Sequence, residues 1–283
     1  MTRRRIPGVS FTTAVLLAAA LAAQVVNAQA VLLQIRPHIG DTLRMHLSQS
    51  VEMTGTTRNG GRDSTTSMTT SIEVFSRAIA EQWTSGGTVM QTITDSVAMK
   101  PASRASLEDL RRRSLQSKRV WLRVSPDGAM EVVHDSDPAS ELQEIFGGMP
   151  AMLARQPVKV GEKWTREMQI PLSGDPGAIG SVRATFKLDS LGRNGDIAYV
   201  SLRGSMARIS PTNAPPPDAS YTTAGTLVGT IQIDRRLGWI TDSRSSIITR
   251  STIVSTGRKG DRQQPPMQVR TKITQWIRAM RAR

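Results

Sequence analysis

The chain has 283 residues, of which 38% are hydrophobic and 21% are charged, and it contains no cysteine. The lack of cysteine excludes a disulfide scaffold, a thiolate zinc site, a cysteine nucleophile and a lipid-modified N-terminal cysteine. The composition is that of a folded globular protein, with a formal net charge of +14.

Residues 1–30 have the three parts of a secretory leader. Arginines at positions 3–5 form a positive start, Ala14–Ala23 is an unbroken apolar run, and Ala28-Gln29-Ala30 supplies the small residues of a cleavage site. Ten apolar residues span about 15 Å as a helix, which is too short for a permanent anchor. We expect cleavage near Ala30 and a periplasmic or extracellular product without a transmembrane segment. Export by the general or the twin-arginine route stays open.

Alternation of apolar and polar residues dominates the rest of the chain. From Thr42 onward, one set of positions is apolar and the intervening set is polar, which predicts a strand with one buried face. The apolar positions of this first strand are Leu43, Met45, Leu47, Val51 and Met53. Similar runs recur to the end of the chain, so we expect about ten strands.

Turn residues join these strands. Ser125-Pro126-Asp127-Gly128 reads as a tight hairpin, and Asn194-Gly195-Asp196 and Asp234–Gly238 lie between further strand patterns. Regularly spaced turns are typical of all-β proteins. We therefore predict a mainly antiparallel all-β fold, either a curved sheet or a half-barrel.

Two short helices are expected to interrupt the strands. Ser106 can cap a helix that carries Leu107 and Leu110. Asp137-Pro138 combines a capping side chain with a proline in the first turn, and the helix would end at Gly147-Gly148.

A short repeat suggests an internal duplication. Ile39–Arg44 is matched by Val160–Arg166, and in each copy a glycine and an acid precede a long strand. A duplicated unit would divide the mature chain into halves at 31–156 and 157–283, which could still form one continuous domain. The alternative is that glycine-acid turns are simply common before strands.

These motifs carry a resemblance to known proteins. The phrase Gly161-Glu162-Lys163-Trp164, with Gly40-Asp41 before the first strand, resembles uncharacterised secreted bacterial β-rich proteins with repeated Gly-acid-x-Trp/Leu strand openings. More distantly, a curved antiparallel sheet with short helices is similar to the periplasmic lipoprotein-carrier fold. That second likeness implies a groove for an apolar ligand.

Residues that could perform chemistry are sparse. His134 lies among acids that include Glu131 and Asp135, and this group could act as the acid-base site of an envelope hydrolase. No nucleophile elbow, zinc motif, calcium loop or phosphate-binding glycine loop is present in the sequence. We therefore predict a non-catalytic protein with no metal, no cofactor and no nucleic-acid partner, and keep the hydrolase as the alternative.

Basic residues cluster between positions 104 and 123. This run could contact anionic lipid head groups or acidic envelope polymers, or could simply be a hydrated face. The residues proposed for an anionic surface are Arg111, Arg112, Arg113, Lys118 and Arg119.

Methionine is frequent, with 13 residues, and it adapts to irregular apolar ligands as well as to irregular cores. We therefore predict binding of an apolar or amphiphilic envelope molecule, or of a protein partner, on one face of the sheet. A structural component whose open sheet edges join other chains is a further alternative. The residues proposed to line the ligand site are Met45, Met53, Met149, Met152 and Leu153.

Overall fold

The fold is a single antiparallel sheet of eleven strands. It is seen in a computed structural model that describes residues 30–59, 61–100, 119–135, 150–171, 179–209, 219–255 and 265–282. The strands are β1 (Thr42–Asn59), β2 (Arg62–Thr84), β3 (Gly87–Lys100), β4 (Arg119–Val124), β5 (Met130–Asp135), β6 (Lys163–Pro171), β7 (Ile179–Gly192), β8 (Ile197–Ile209), β9 (Ala219–Asp234), β10 (Trp239–Ser255) and β11 (Met267–Arg281).

The strand order is β5-β4-β3-β2-β1-β11-β10-β9-β8-β7-β6. Consecutive strands are neighbours from β1 to β5 and from β6 to β11, whereas β5 and β6 are not paired with each other. At the centre, the first strand pairs with the last from Leu43↔Arg281 to Thr57↔Met267. The sheet is not closed in the described part of the chain, since β5 and β6 are its two edges. The all-β antiparallel prediction and the expected strand number are confirmed.

The two predicted helices are not borne out, because the segments beginning at Ser106 and Asp137 lie outside the described residues. What the described ranges do contain is one 3-10 turn, Arg193–Gly195, between β7 and β8. Among these residues, no helix has the length and hydropathy needed to span a membrane.

Alternation produces the buried face of each strand. In β7, the side chains of Val182, Ala184, Phe186 and Leu188 are buried, whereas those between them are half-buried or exposed. Side chains of β4 and β7 belong to one contiguous core, although seven strands separate them in the sheet. The sheet must therefore curve around this core, and we call the curved side its inner face.

An extended segment, residues 31–37, crosses the end of the sheet where the core lies. We call this segment the strap and this end of the sheet the closed end. Val31, Leu33 and Ile35 of the strap point into the core, and Leu33 is fully buried. The Ile35 amide donates to the carbonyl of Pro126 at 2.9 Å, and the Arg36 amide donates to that of Gly238 at 2.8 Å. The strap thus joins the β4–β5 turn to the β9–β10 turn.

The strap is also fixed at its first residue. Val31 and Val158 form an antiparallel bridge, with both amide-to-carbonyl distances at 2.9 Å. Val158 belongs to the segment 150–158, which leads into β6 and also contributes the buried Leu153 to the core. The inner space at the closed end is therefore filled by protein side chains.

The two glycine-acid turns have the same geometry. Gly40 and Gly161 have φ angles of +86° and +89°, a conformation that glycine adopts without strain. The Gly40 amide donates to Ala80, and the Gly161 amide donates to Leu188, at corresponding places on β2 and β7. Both predicted parts, 31–156 and 157–283, contribute strands to one sheet. The division and the duplication stay predictions.

Candidate functional site

Apolar side chains continue along the inner face from the core, against which Ile247 of β10 packs, toward the far end of the central strands. On the two central strands, Leu47 pairs with Ile277 and Val51 pairs with Ile273, and Ile247 of β10 lies opposite Ile273. All five side chains are half-buried. We call these five residues the inner band.

The predicted ligand residues Met45 and Met53 lie on the same face as the inner band. Met45 is half-buried against the core, and Met53 is 37% exposed toward the far end of β1. Eight residues of strand separate them by roughly 26 Å. A pair of glutamines, Gln49 and Gln275, faces each other across the two central strands between the apolar pairs. This surface therefore offers apolar contact with interspersed amide hydrogen-bonding groups.

The other predicted ligand residues precede β6 in the sequence. Met149 is outside the described residues. Met152 is half-buried at the closed end, and Leu153 is a fully buried core residue. Both amides donate to the carbonyl of Asp127 at 2.9 Å, and the Met152 carbonyl accepts a hydrogen bond from the Trp164 indole. Met45, Met152 and Leu153 thus belong to or pack against one core, whereas Met53 lies farther along β1 and is not part of it.

Asp127 links the β4–β5 turn, the segment 150–158 and β6 at the closed end. Its carboxylate accepts hydrogen bonds from Ser125 at 2.6 Å and from Arg155 at 3.2 Å, and Arg166 of β6 lies 3.9 Å away. Burial by itself raises the pKa of this carboxyl, but the hydrogen bonds from Ser125, Arg155 and the Ala129 amide, with the charge of Arg155, outweigh it. The pKa of Asp127 therefore lies below its ordinary value of 3.8.

Replacing Asp127 by asparagine is expected to lower the free energy of unfolding by about 1 kcal/mol at neutral pH, because charge-assisted hydrogen bonds are lost. A depressed pKa favours the folded state above the ordinary carboxyl pKa and loses this effect as pH falls through the folded-state pKa. The difference between variant and parent should be constant above about pH 5 and shrink below about pH 4.

Urea unfolding at several pH values measures this difference. Asp63→Asn is the matched control, since Asp63 is 64% exposed at the β1–β2 hairpin and lies 3.6 Å from Arg58. Its effect should stay below about 0.5 kcal/mol at all pH values. A loss in Asp127→Asn that persists unchanged at low pH would contradict the role given to the charge.

The predicted anionic-contact residues are mostly outside the described residues: Arg111, Arg112, Arg113 and Lys118. Arg119 is exposed at the start of β4, opposite Ile93 of β3. The proposed anionic surface stays a prediction.

The residues of the alternative hydrolase site lie on the β4–β5 hairpin. Glu131 forms an ion pair with Arg123, and the His134 ring lies 5.2 Å from the Trp121 ring. In the described ranges, no group of three or more histidine and acidic side chains could hold a metal ion. The hydrolase and the absence of catalysis both stay untested.

Sequence reasoning missed a polar cleft at the closed end. It has a volume of about 1330 Å³ and lies between the strap and the ends of β8–β11. Six arginines from distant parts of the chain line it, so no local motif announces it: Arg36, Arg193, Arg235, Arg236, Arg278 and Arg281.

Comparison with known proteins adds little about activity. A family of unknown function, DUF6263, matches residues 127–240, from the β4–β5 turn to the start of β10. The chain matches none of the curated proteins.

Three solved structures are similar to the chain at low scores. The outer membrane protein OprG from Pseudomonas aeruginosa is 7% identical, with 87% of this chain and 99% of that chain covered and a TM-score of 0.23. The TodX monoaromatic hydrocarbon channel, as a deltaS2 mutant, is 9% identical, with coverages of 87% and 91% and a TM-score of 0.25. An outer membrane channel from Pseudomonas putida F1 is 10% identical, with coverages of 90% and 98% and a TM-score of 0.21. At these TM-scores the likeness supports no statement about function.

Proposed function

We propose that the protein is an exported, non-catalytic binding protein of the cell envelope that holds an amphiphilic molecule against the inner face of the sheet. The observation that carries this proposal is the continuation of half-buried apolar pairs, Leu47 with Ile277 and Val51 with Ile273, past the core. A strand face that served only the core would become polar where the core ends.

The position of the inner band favours an elongated ligand. Leu47 and Val51 lie about 13 Å apart along β1, and Met53 extends the apolar row by a further 7 Å or so. The glutamine pair between them offers amide groups for a polar substituent. An amphiphile with an extended hydrocarbon chain fits this pattern better than a compact apolar molecule.

The filled closed end limits where such a ligand can lie. Leu33, Ile35 and Leu153 are each at most 1% exposed, so the ligand site begins beyond them, on the central strands. Within the proposal, Met45 marks the border with the core and Met53 the outer part of the site. Export by the leader of residues 1–30 would place this site where envelope lipids are available.

Binding of a fluorescent fatty acid, cis-parinaric acid, tests the proposal. The protein should bind the probe saturably, and Ile273→Glu should weaken the affinity at least about tenfold. Burial of an isoleucine side chain contributes about 1.5–3 kcal/mol, and 1.4 kcal/mol corresponds to about a tenfold change.

Val228→Glu is the matched control, because Val228 is 50% exposed and follows the outward side of β9, opposite Ser246. It introduces the same charge on the other face and should leave the affinity within about twofold. Lack of saturable binding by the parent protein, or equal losses in both variants, would refute the proposal. Circular dichroism spectra of both variants verify that the sheet is retained.

A further inference from the structure

The arginine-lined cleft at the closed end has more basic groups than its acids neutralise. Three of its aspartates pair with three of its arginines: Asp41 with Arg281 at 2.5 Å, Asp196 with Arg236 at 3.7 Å, and Asp242 with Arg278 at 3.6 Å. The fourth, Asp234, accepts hydrogen bonds from the backbone amides of residues 236 and 237. Among the described residues, the other three arginines of the cleft have no carboxylate partner: Arg36, Arg193 and Arg235.

Two of these three arginines are held in place by uncharged groups. The guanidinium of Arg36 lies 4.5 Å from the centre of the Trp83 ring, a distance at which a cation and an aromatic face attract each other. Arg235 donates to the carbonyl of Gly195 at 2.6 Å. These contacts orient the two guanidinium groups without using a carboxylate, so their remaining N–H groups can serve an anion. With four aspartates against six arginines, the lining of the cleft keeps an excess of positive charge.

The third arginine is held by a strained backbone. Arg193 has a φ of +49° and precedes Asn194, with a φ of +57°, and in the described ranges these are the two non-glycine residues with positive φ. Asparagine adopts this conformation readily, whereas for arginine it costs roughly 1 kcal/mol. Arg193 therefore occupies a position where glycine would be more stable, and its side chain lines the cleft.

We propose that this cleft binds a phosphoryl group, on which Arg36, Arg193 and Arg235 converge. The planar guanidinium fork donates paired hydrogen bonds to the oxygens of phosphate, and several forks match a doubly charged group better than a single carboxylate. The cleft is much larger than a phosphate ion, which favours a phosphoryl group carried on a larger molecule. This site is separate from the inner band, since the filled core lies between them.

A calorimetric titration with inorganic pyrophosphate at low ionic strength tests the site. The parent protein should bind saturably. Arg193→Gly and Arg193→Asn should both weaken binding at least about fivefold, since one charge-assisted contact is lost. Both substitutions should also raise the melting temperature, because each relieves the strained φ. A merely structural role for Arg193 predicts the opposite change in stability.

Arg203→Ala is the matched control, because Arg203 is an exposed arginine of β8 that does not line the cleft. It removes the same charge and should leave binding within about twofold. Equal weakening in Arg203→Ala and Arg193→Gly would show general attraction by the net charge and overturn the site. Absence of saturable binding, or a melting temperature lowered in both Arg193 variants, would overturn it as well.

Vesicles distinguish the source of the phosphoryl group. Binding to phosphatidic acid vesicles, but not to phosphatidylcholine vesicles, with competition by pyrophosphate, would assign a lipid headgroup. Binding of pyrophosphate without binding to either vesicle would assign a soluble phosphorylated ligand. Both results support the site, and binding to neither pyrophosphate nor phosphatidic acid would exclude it.

Discussion

Replacing Gly238 by alanine is expected to lower the free energy of unfolding by about 3 kcal/mol or more. A Cβ atom at this position would lie 2.1 Å from the carbonyl oxygen of Arg36 and 2.4 Å from its carbonyl carbon. The strap would have to move away from the β9–β10 turn. The hydrogen bond from the Arg36 amide to Gly238 would then be lost, and the neighbouring Ile35 would be displaced from the core.

Gly161→Ala is the control that separates two costs of Gly238→Ala, the clash of the new Cβ atom with Arg36 and the positive φ of a non-glycine residue. Gly161 also has a positive φ, +89°, but a Cβ atom there would have no heavy atom within 4 Å. Its substitution should cost only the left-handed conformation of a non-glycine residue, roughly 1 kcal/mol. Urea unfolding monitored by circular dichroism measures both variants. If the two variants lose the same stability, the strap does not press on Gly238 in solution.

The strands could be predicted because burial acts on one face only. In β1, alternate positions from Leu43 to Met53 are apolar except for Gln49, and the register places all of them on the inner face. The hairpins at Ser125–Gly128 and Asp234–Gly238 were also predictable, since local turn chemistry determines them. These features depend on residues close together in the sequence.

The strap could not be predicted in the same way. Its alternation of Val31, Leu33 and Ile35 is compatible with an extended segment, but its hydrogen-bond partners are Pro126, Gly238 and Val158. All three are distant in the sequence, and no local pattern indicates which turns will meet at the closed end. Because these contacts arise only when the sheet curves, they depend on the register of all eleven strands.

The candidate sites could likewise be predicted only where they depend on residues close together in the sequence. Met45 and Met53 were placed on one face by periodicity, whereas Leu153 follows an irregular segment and proves to be a core residue. The reason is that the backbone amides of residues 152 and 153 donate to the carbonyl of Asp127, which lies in the distant β4–β5 turn. The arginines of the cleft come from the strap, two turns and the last strand, so their convergence is a property of the fold.

Replacing Leu33 by alanine is expected to lower the free energy of unfolding by about 3 kcal/mol, within the range found for leucine-to-alanine substitutions in cores. Leu33 is fully buried and packs with the core that side chains of both β4 and β7 share. Its truncation removes three carbon atoms from this space, and neighbouring strands that are tied into one sheet can relax only in part. The melting temperature and the urea midpoint should both fall.

Leu32→Ala tests whether the strap is seated as an extended segment or is merely apolar. Leu32 is the adjacent residue, points to the other side of the strap and is 37% exposed, so the same chemical change should cost less than about 1 kcal/mol. The ratio of the two effects therefore reports the orientation of the strap. A loosely attached segment would make the two leucines nearly equivalent. In that case the strap would not cover the closed end of the curved sheet. The inner band and the arginine cleft would then no longer be separated by the strap and the core beneath it.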